Sequence, residues 1–218
     1  MHLTDRILAC NSWANEGRVN IQLLFPFVLG YVLGSIPFGL ILTRVAGKGD
    51  IRKVGSGNIG ATNVLRAGGR ALAAATLLLD ALKATAAVVI AQQLWPGLEW
   101  STAAVVAGAG ALVGHLYPVW LKFRGGKGVA TFLGLLIPLL PIVAAIYALV
   151  WVAALLIVRI SSVAGMLAAM SAPIAALALG GAYFPIVLAF AILVVWRHHA
   201  NLARLWAGTE PKIGRSKK

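Results

Sequence analysis

The residues best able to do chemistry lie in four short segments: GSIPFG (34–39), DIRKVGSGNIGATNVLR (50–66), KFRGGKGVAT (122–131) and RHHANLAR (197–204). Together they mix glycine with arginine, lysine and small polar side chains. Glycine lets successive backbone N–H groups converge on one anion, and the cations supply charge. In segment 50–66, Gly55, Gly57 and Gly60 alternate with Ser56 and Asn58, followed by Thr62 and Asn63, all between Arg52 and Arg66. That combination suits a phosphate. It formally matches G-x-G-x-x-G, but a dinucleotide site also needs a preceding strand and a βαβ unit, and long apolar runs flank this segment instead. The bland alternative is a flexible turn with ordinary basic residues. An idle linker seldom concentrates so much Gly, Ser, Thr and Asn between two arginines.

Arg124-Gly125-Gly126-Lys127-Gly128 is a second anion candidate. It is only a partial P-loop, because Gly128 follows Lys127 where a magnesium-holding Ser or Thr would stand. Lys127 could still bind a phosphate or polarise a carbonyl, or the segment could be a basic membrane anchor. His198 and Asn201 are three apart and share a helical face. Spacing alone favours two interfacial histidines, His198 and His199, without chemistry. Asp80 and Lys83 fall inside an apolar run, where charges are costly and often functional. At i and i+3 they can pair, which reads as structural support near a site. Ser161 and Ser162 either cap a helix or reach a substrate. Gly114, His115 and Pro118 shape a helix end; His115 could contact substrate but is assigned no role. Glu210, the only acid in the tail, reads as a brace for nearby basic residues. Three signals are absent: CxxC, HExxH and GxSxG. No histidine has an aspartate five positions on, so the acid–base dyad of many acyltransferases is missing.

Apolar runs must position these residues. The 218-residue chain is 60% hydrophobic and 11% charged, against about a quarter charged in a soluble domain. This composition belongs in lipid. The net charge of +13 raises nucleic acid as a partner, but the cations are scattered among short loops and no soluble domain presents them. Nucleic acid is therefore excluded. Cys10 is the single cysteine, so no intrachain disulfide forms. Residues 1–20 read as a polar extracytoplasmic tail.

A bilayer core of about 30 Å takes roughly 20 helical residues. Candidate spans are 21–45, 71–94, 101–118, 129–140, 142–158, 163–179 and 183–197, with 129–140 short and bounded by Pro138 and Pro141. Trp95, Pro96 and Trp100 mark one interface. Lys and Arg crowd segments 44–70, 119–128, Arg159 and the tail after 197, while the opposite inter-helix loops have none. The positive-inside rule places the basic face in the cytoplasm, with the N-terminus outside and the C-terminus cytoplasmic. The expectation is an all-α integral membrane protein of seven helices in one domain, 21–218, with some short or partial spans.

These segments resemble the bacterial acyl-phosphate:glycerol-3-phosphate acyltransferase family, often called PlsY. Gly34-Ser35-Ile36-Pro37 with 50–66 matches its first motif. Gly114-His115 through PVWLKFRGGKGVAT matches the second, and His198, Asn201, Arg204 and GTEPKIG match the third. The resemblance runs from about residue 30 to 214, and the N-terminal tail departs from it. It implies transfer of an acyl chain from acyl phosphate to the 1-hydroxyl of glycerol 3-phosphate, giving lysophosphatidic acid and inorganic phosphate. It also implies a bacterial inner-membrane location, a cytoplasm-facing site, no cofactor, no metal, and coupling to the enzyme that makes acyl phosphate. Ser56, Gly57, Asn58, Gly60, Thr62 and Asn63 are then expected to hold the donor phosphate. Arg52, Arg66, Lys127, Ser162, His198 and Asn201 are expected to bind glycerol 3-phosphate, with Lys127, His198 and Asn201 catalytic. The alternative is a carrier for phosphate or organic phosphates, which would alternate access between two faces. Polar residues crowd one face here, which disfavours it.

Overall fold

The computed structural model describes residues 21–95 and 100–213. The tail 1–20, including Cys10, and most of the Trp95–Trp100 interface lie outside the described residues. Every regular element among the described residues is helical. In chain order they are α1 (21–34), α2 (Phe38–Val45), α3 (Ala61–Gly68), α4 (Arg70–Leu94), α5 (Trp100–Leu116), α6 (Val129–Leu139), α7 (Pro141–Val158), α8 (Ser161–Ala178), α9 (Phe184–Trp196) and α10 (His199–Trp206).

Of the seven expected spans, five among the described residues are helices long and apolar enough to cross a bilayer, and α9 with α10, bent by 55°, makes a sixth if counted as one. The expected span at 129–140 is the 11-residue α6, about 16 Å long at 1.5 Å per residue. Hydropathy reports an apolar run but not the length over which it stays helical. Leu140 leaves helical geometry, with ψ at 71°, and Pro141 starts α7 at once. Residues 21–45 are one run interrupted at Ser35–Pro37, where Pro37 contributes no N–H.

Packing relies on small residues, which let helix backbones touch where no hydrophobic effect drives helices together in lipid. A Cβ on Gly34 would collide with the Ala111 carbonyl of α5, and one on Gly134 of α6 with the Ala81 carbonyl of α4. Facing the middle of the bundle, Phe132, Tyr147 and Phe190 form edge-to-face pairs at 5.4 and 6.0 Å, and such aromatic pairs add to burial. Tyr147 Oη donates to the Val129 carbonyl at 3.0 Å. That bond ties α7 to the first turn of α6, next to the glycine-rich segment 124–128.

Candidate active site

A cavity of about 240 Å³ opens where α3, α6, α8 and α10 begin. Its lining includes Gly60, Ala61 and Thr62 from α3, Gly128 and Val129 from α6, Ser161 and Ser162 from α8, and His198 and Asn201 at α10. None of these four helix starts carries a side-chain cap. Uncapped N-termini keep orphan N–H groups and positive dipole ends, which favour anions. Arg66 and Lys127 add full charges to the same lining. The lining also has an apolar part: Ala73, Ala74 and Leu77 from α4, and Trp151 and Leu155 from α7.

The loop before α3 is built around Asn63, which is 1% exposed. Its amide nitrogen donates to the carbonyls of Ile51, Val54 and Asn58, at 2.8–3.0 Å. Its oxygen accepts the Ser56 N–H at 3.1 Å. Asn63 therefore shapes the loop and has no free donor for a ligand. Asn58 Oδ1 accepts from Gly60 N–H, turning the chain into α3. Gly55 has φ of 60°, and a Cβ there would strike the Asn63 amide. Ser56, Asn58, Gly60, Thr62, Asn63 and Arg66 all line the cavity, whereas Gly57 and Arg52 do not. Arg52 is engaged with Asp50, donating through Nε and Nη2. That bonding holds the Asp50 carboxyl well below its ordinary range.

Loop 124–128 brings Lys127 in from the other side. The Gly125 and Gly126 N–H groups donate to the carbonyls of Leu116 and His115 at the end of α5. Arg197 donates to both glycine carbonyls at 3.2–3.3 Å and stacks over Tyr117 at 5.0 Å. Lys127 Nζ donates to Asn201 Oδ1. Burial pushes its amine down to about 8; Glu210 pulls it up, while Arg204, Arg66 and Arg197 push it further down.

The tail after α10 folds back over the site, and the Ile213 N–H donates to the Arg159 carbonyl at 2.7 Å. Glu210 accepts from Ser162 Oγ, Asn201 Nδ2 and Arg204 Nε. Burial alone would raise this carboxyl, but those three donors hold it below its usual range. Glu210 does brace a basic residue, Arg204. It also orients two expected ligand-binding residues, Ser162 and Asn201, a role the sequence reading missed. His198 is 2% exposed, and its Nδ1–H donates to the Val194 carbonyl at 2.7 Å. Its Nε2 is left as an acceptor, and His198 lines the cavity.

Arg197 and His115 carry no assigned role in the sequence, whereas Asp80 and Lys83 are expected to pair. Arg197 was read only as a basic flank. Asp80 and His115 line the cavity, and the expected Asp80–Lys83 pair forms at 2.8 Å. The spacing of Asp80 and Lys83 signalled that pair; nothing local signalled their meeting with His115, 32 positions from Lys83.

Residues 24–208 match the family model described as glycerol-3-phosphate acyltransferase. A glycerol-3-phosphate acyltransferase of Mesorhizobium japonicum is 56% identical over 193 residues, covering 88% of this chain and 96% of the relative. One from Brucella anthropi is 52% identical over 204 residues, covering 92% and 98%. Among solved structures, PlsY (YgiH), an integral membrane glycerol 3-phosphate acyltransferase in its glycerol 3-phosphate form, superposes with a TM-score of 0.81. It is 36% identical, covering 88% of this chain and 96% of that one. The same protein's lysophosphatidic acid form gives a TM-score of 0.79 at 35% identity.

Proposed function

The chain belongs to the glycerol-3-phosphate acyltransferase family, and we propose that it moves an acyl chain from acyl phosphate to the 1-hydroxyl of glycerol 3-phosphate. The products are 1-acylglycerol 3-phosphate and inorganic phosphate. The observation that carries this reading is the cavity itself: four uncapped helix starts, Arg66 and Lys127, and an apolar stripe from α4 and α7 line one space. Such a pocket suits two phosphates and one hydrocarbon chain together. Phosphate transport would require access from both faces, and the family membership gives it no support.

Acyl phosphate is a mixed anhydride and brings its own leaving group. The reaction therefore needs alignment and charge neutralisation more than a protein nucleophile. Ser56 and Thr62 hold the donor phosphate, with Asn58 and Asn63 setting the loop and the Gly60 N–H engaged by Asn58. Arg66, Lys127 and Ser162 receive glycerol 3-phosphate, and Asn201 positions Lys127. His198 Nε2 accepts from the attacking hydroxyl and orients it, and the donor's phosphate takes the proton as it leaves. If His198 were instead the base, His198→Gln would abolish turnover; near-normal turnover removes that role.

The site gathers segments 56–66, 127–130, 161–162 and 198–213. For all of them to share one face, α6 must act as an odd crossing between loop 124–128 and α7. A seven-helix, multi-pass protein with α6 as a short span satisfies that parity. The dominant basic face is then cytoplasmic, the N-terminal tail external and the enzyme inner-membrane, in one domain over 21–218. Coupling to the enzyme that makes acyl phosphate follows from the instability of that donor in water.

The test is donor choice. Purified protein, glycerol 3-phosphate and either palmitoyl phosphate or palmitoyl-CoA are mixed without metal. Equimolar phosphate and lysophosphatidic acid from palmitoyl phosphate alone is the expected result. Product from palmitoyl-CoA alone overturns the acyl-phosphate reading.

A further inference from the structure

Three buried charged or titratable groups take no part in the reading above: Asp80 and Lys83 on α4, and His115 on α5. Lys83 Nζ donates to the Ile36 carbonyl at 2.8 Å. It lies 2.8 Å from Asp80 Oδ1, a close ion contact whose angle falls short of a hydrogen bond. It also lies 3.0 Å from His115 Nδ1. An ammonium has donors only, so Nδ1 accepts and the proton of the neutral ring sits on Nε2. Among the described residues Nε2 meets no hydrogen-bond acceptor, and His115 lines the cavity.

Its surroundings define what that donor faces. The ring edge rests on Gly126, where a Cβ would overlap Nε2, and the next residue is Lys127. On the other side stands Asp80, which continues the α4 stripe of Ala73 and Leu77 along the apolar part of the lining. His115 thus stands between Lys127, which receives glycerol 3-phosphate in the reading above, and the residues suited to hydrocarbon. The atom at which the acceptor hydroxyl meets the acyl chain is the carbonyl carbon of the donor.

We propose that His115 is a further catalytic residue, whose Nε2–H donates a hydrogen bond to the carbonyl oxygen of the acyl donor. Lys83 is the positioning residue that sets its tautomer, and Asp80 holds Lys83. This rests on the acyl-phosphate reading. The hydroxyl oxygen of glycerol 3-phosphate adds to the carbonyl carbon, and an electron pair moves onto the carbonyl oxygen. The bond from Nε2–H strengthens as that charge develops. When the pair returns, the bond from carbon to the phosphate oxygen breaks, and phosphate departs with the hydroxyl proton. His115 keeps its own proton throughout. The two cavity histidines are therefore opposite tautomers: His198 offers an acceptor to the hydroxyl, and His115 offers a donor to the carbonyl.

The experiment compares His115→Leu and His115→Gln with wild type, using palmitoyl phosphate and glycerol 3-phosphate. Glutamine places an amide N–H near the Nε2 position; leucine fills similar space without a donor. The leucine variant is expected to lose about 10²–10³ in kcat, with KM for glycerol 3-phosphate little changed. The glutamine variant is expected to recover at least about tenfold of that loss. Equal losses in both variants, or an unchanged kcat in the leucine variant, overturn the proposal. Nitrogen-15 histidine NMR of the wild-type chain supplies a readout independent of variant folding. A ring protonated at Nε2 is expected for His115, and protonation at Nδ1 instead overturns the assignment. A wild type that uses only palmitoyl-CoA overturns the functional reading beneath it. Full-rate use of palmitoyl phosphate by the leucine variant overturns this inference alone.

Discussion

The two glycine-rich loops beside the cavity are held in opposite ways. Loop 51–60 is organised by a residue a few positions on: Asn63 satisfies three carbonyls and one N–H of the loop. Loop 124–128 is held by distant residues, with α5 carbonyls on one edge and Arg197, more than seventy positions on, on the other. The first loop is a local fold with its own hub. The second is a strap whose shape depends on α5 and α9 packing correctly. A phosphate site assembled from both is therefore sensitive to local chemistry on one side and to tertiary assembly on the other.

Removing the hub should have the largest effect on this pair. Asn63→Ala leaves several buried backbone groups unpaired, each costing about 1–3 kcal/mol. A loss of about 100-fold in kcat/KM is expected, on the order of 2.7 kcal/mol, with a lower melting temperature. A stable, fully active variant would mean the loop holds its shape without Asn63.

The strap should respond more mildly. Arg197→Lys keeps the charge but cannot span both carbonyls as a guanidinium does. KM for glycerol 3-phosphate should rise about tenfold, matching one charged hydrogen bond of roughly 1.5 kcal/mol. Little change in KM would show that the α5 carbonyls suffice.

The strap also carries the titrating group. Burial, with the nearby arginines, lowers Lys127 to about 8. The ammonium exists below that pH and is lost above it. kcat/KM for glycerol 3-phosphate should therefore fall about tenfold per unit above pH 8. Lys127→Arg should flatten that descent, since a guanidinium stays charged. An identical descent in the arginine variant would assign it to another group.

Arg52 supplies the smallest effect. It is engaged with Asp50 and lies outside the cavity lining. Arg52→Ala should change kcat/KM by less than about threefold, as expected of a largely exposed pair. A loss comparable to that of Asn63→Ala would return Arg52 to the substrate-binding set.

The same contrast explains what the sequence disclosed. Gly55 to Asn63 announces an anion loop because its turn chemistry is written in consecutive residues. Lys127, His198 and Asn201 were legible as residue types at one face, and the cavity brings them together. Arg52 looked equivalent to Arg66 in sequence, but Asp50, two residues away, engages it. Arg197 and the meeting of Lys83 with His115 stayed hidden because their partners are 32 to 72 residues distant. The short span was legible as well: 129–140 reads as apolar but short, and its helix is 11 residues long.

The central claim is that Arg66 and Lys127, set among uncapped helix starts, hold the phosphate of glycerol 3-phosphate. Equilibrium binding of radiolabelled glycerol 3-phosphate to purified wild type, Arg66→Ala and Lys127→Ala tests it directly. Saturable binding to wild type, weakened at least about tenfold in each folded variant, is the predicted result, being the worth of one charge-assisted contact. Unchanged affinity in both folded variants would contradict the account and move the phosphate site elsewhere.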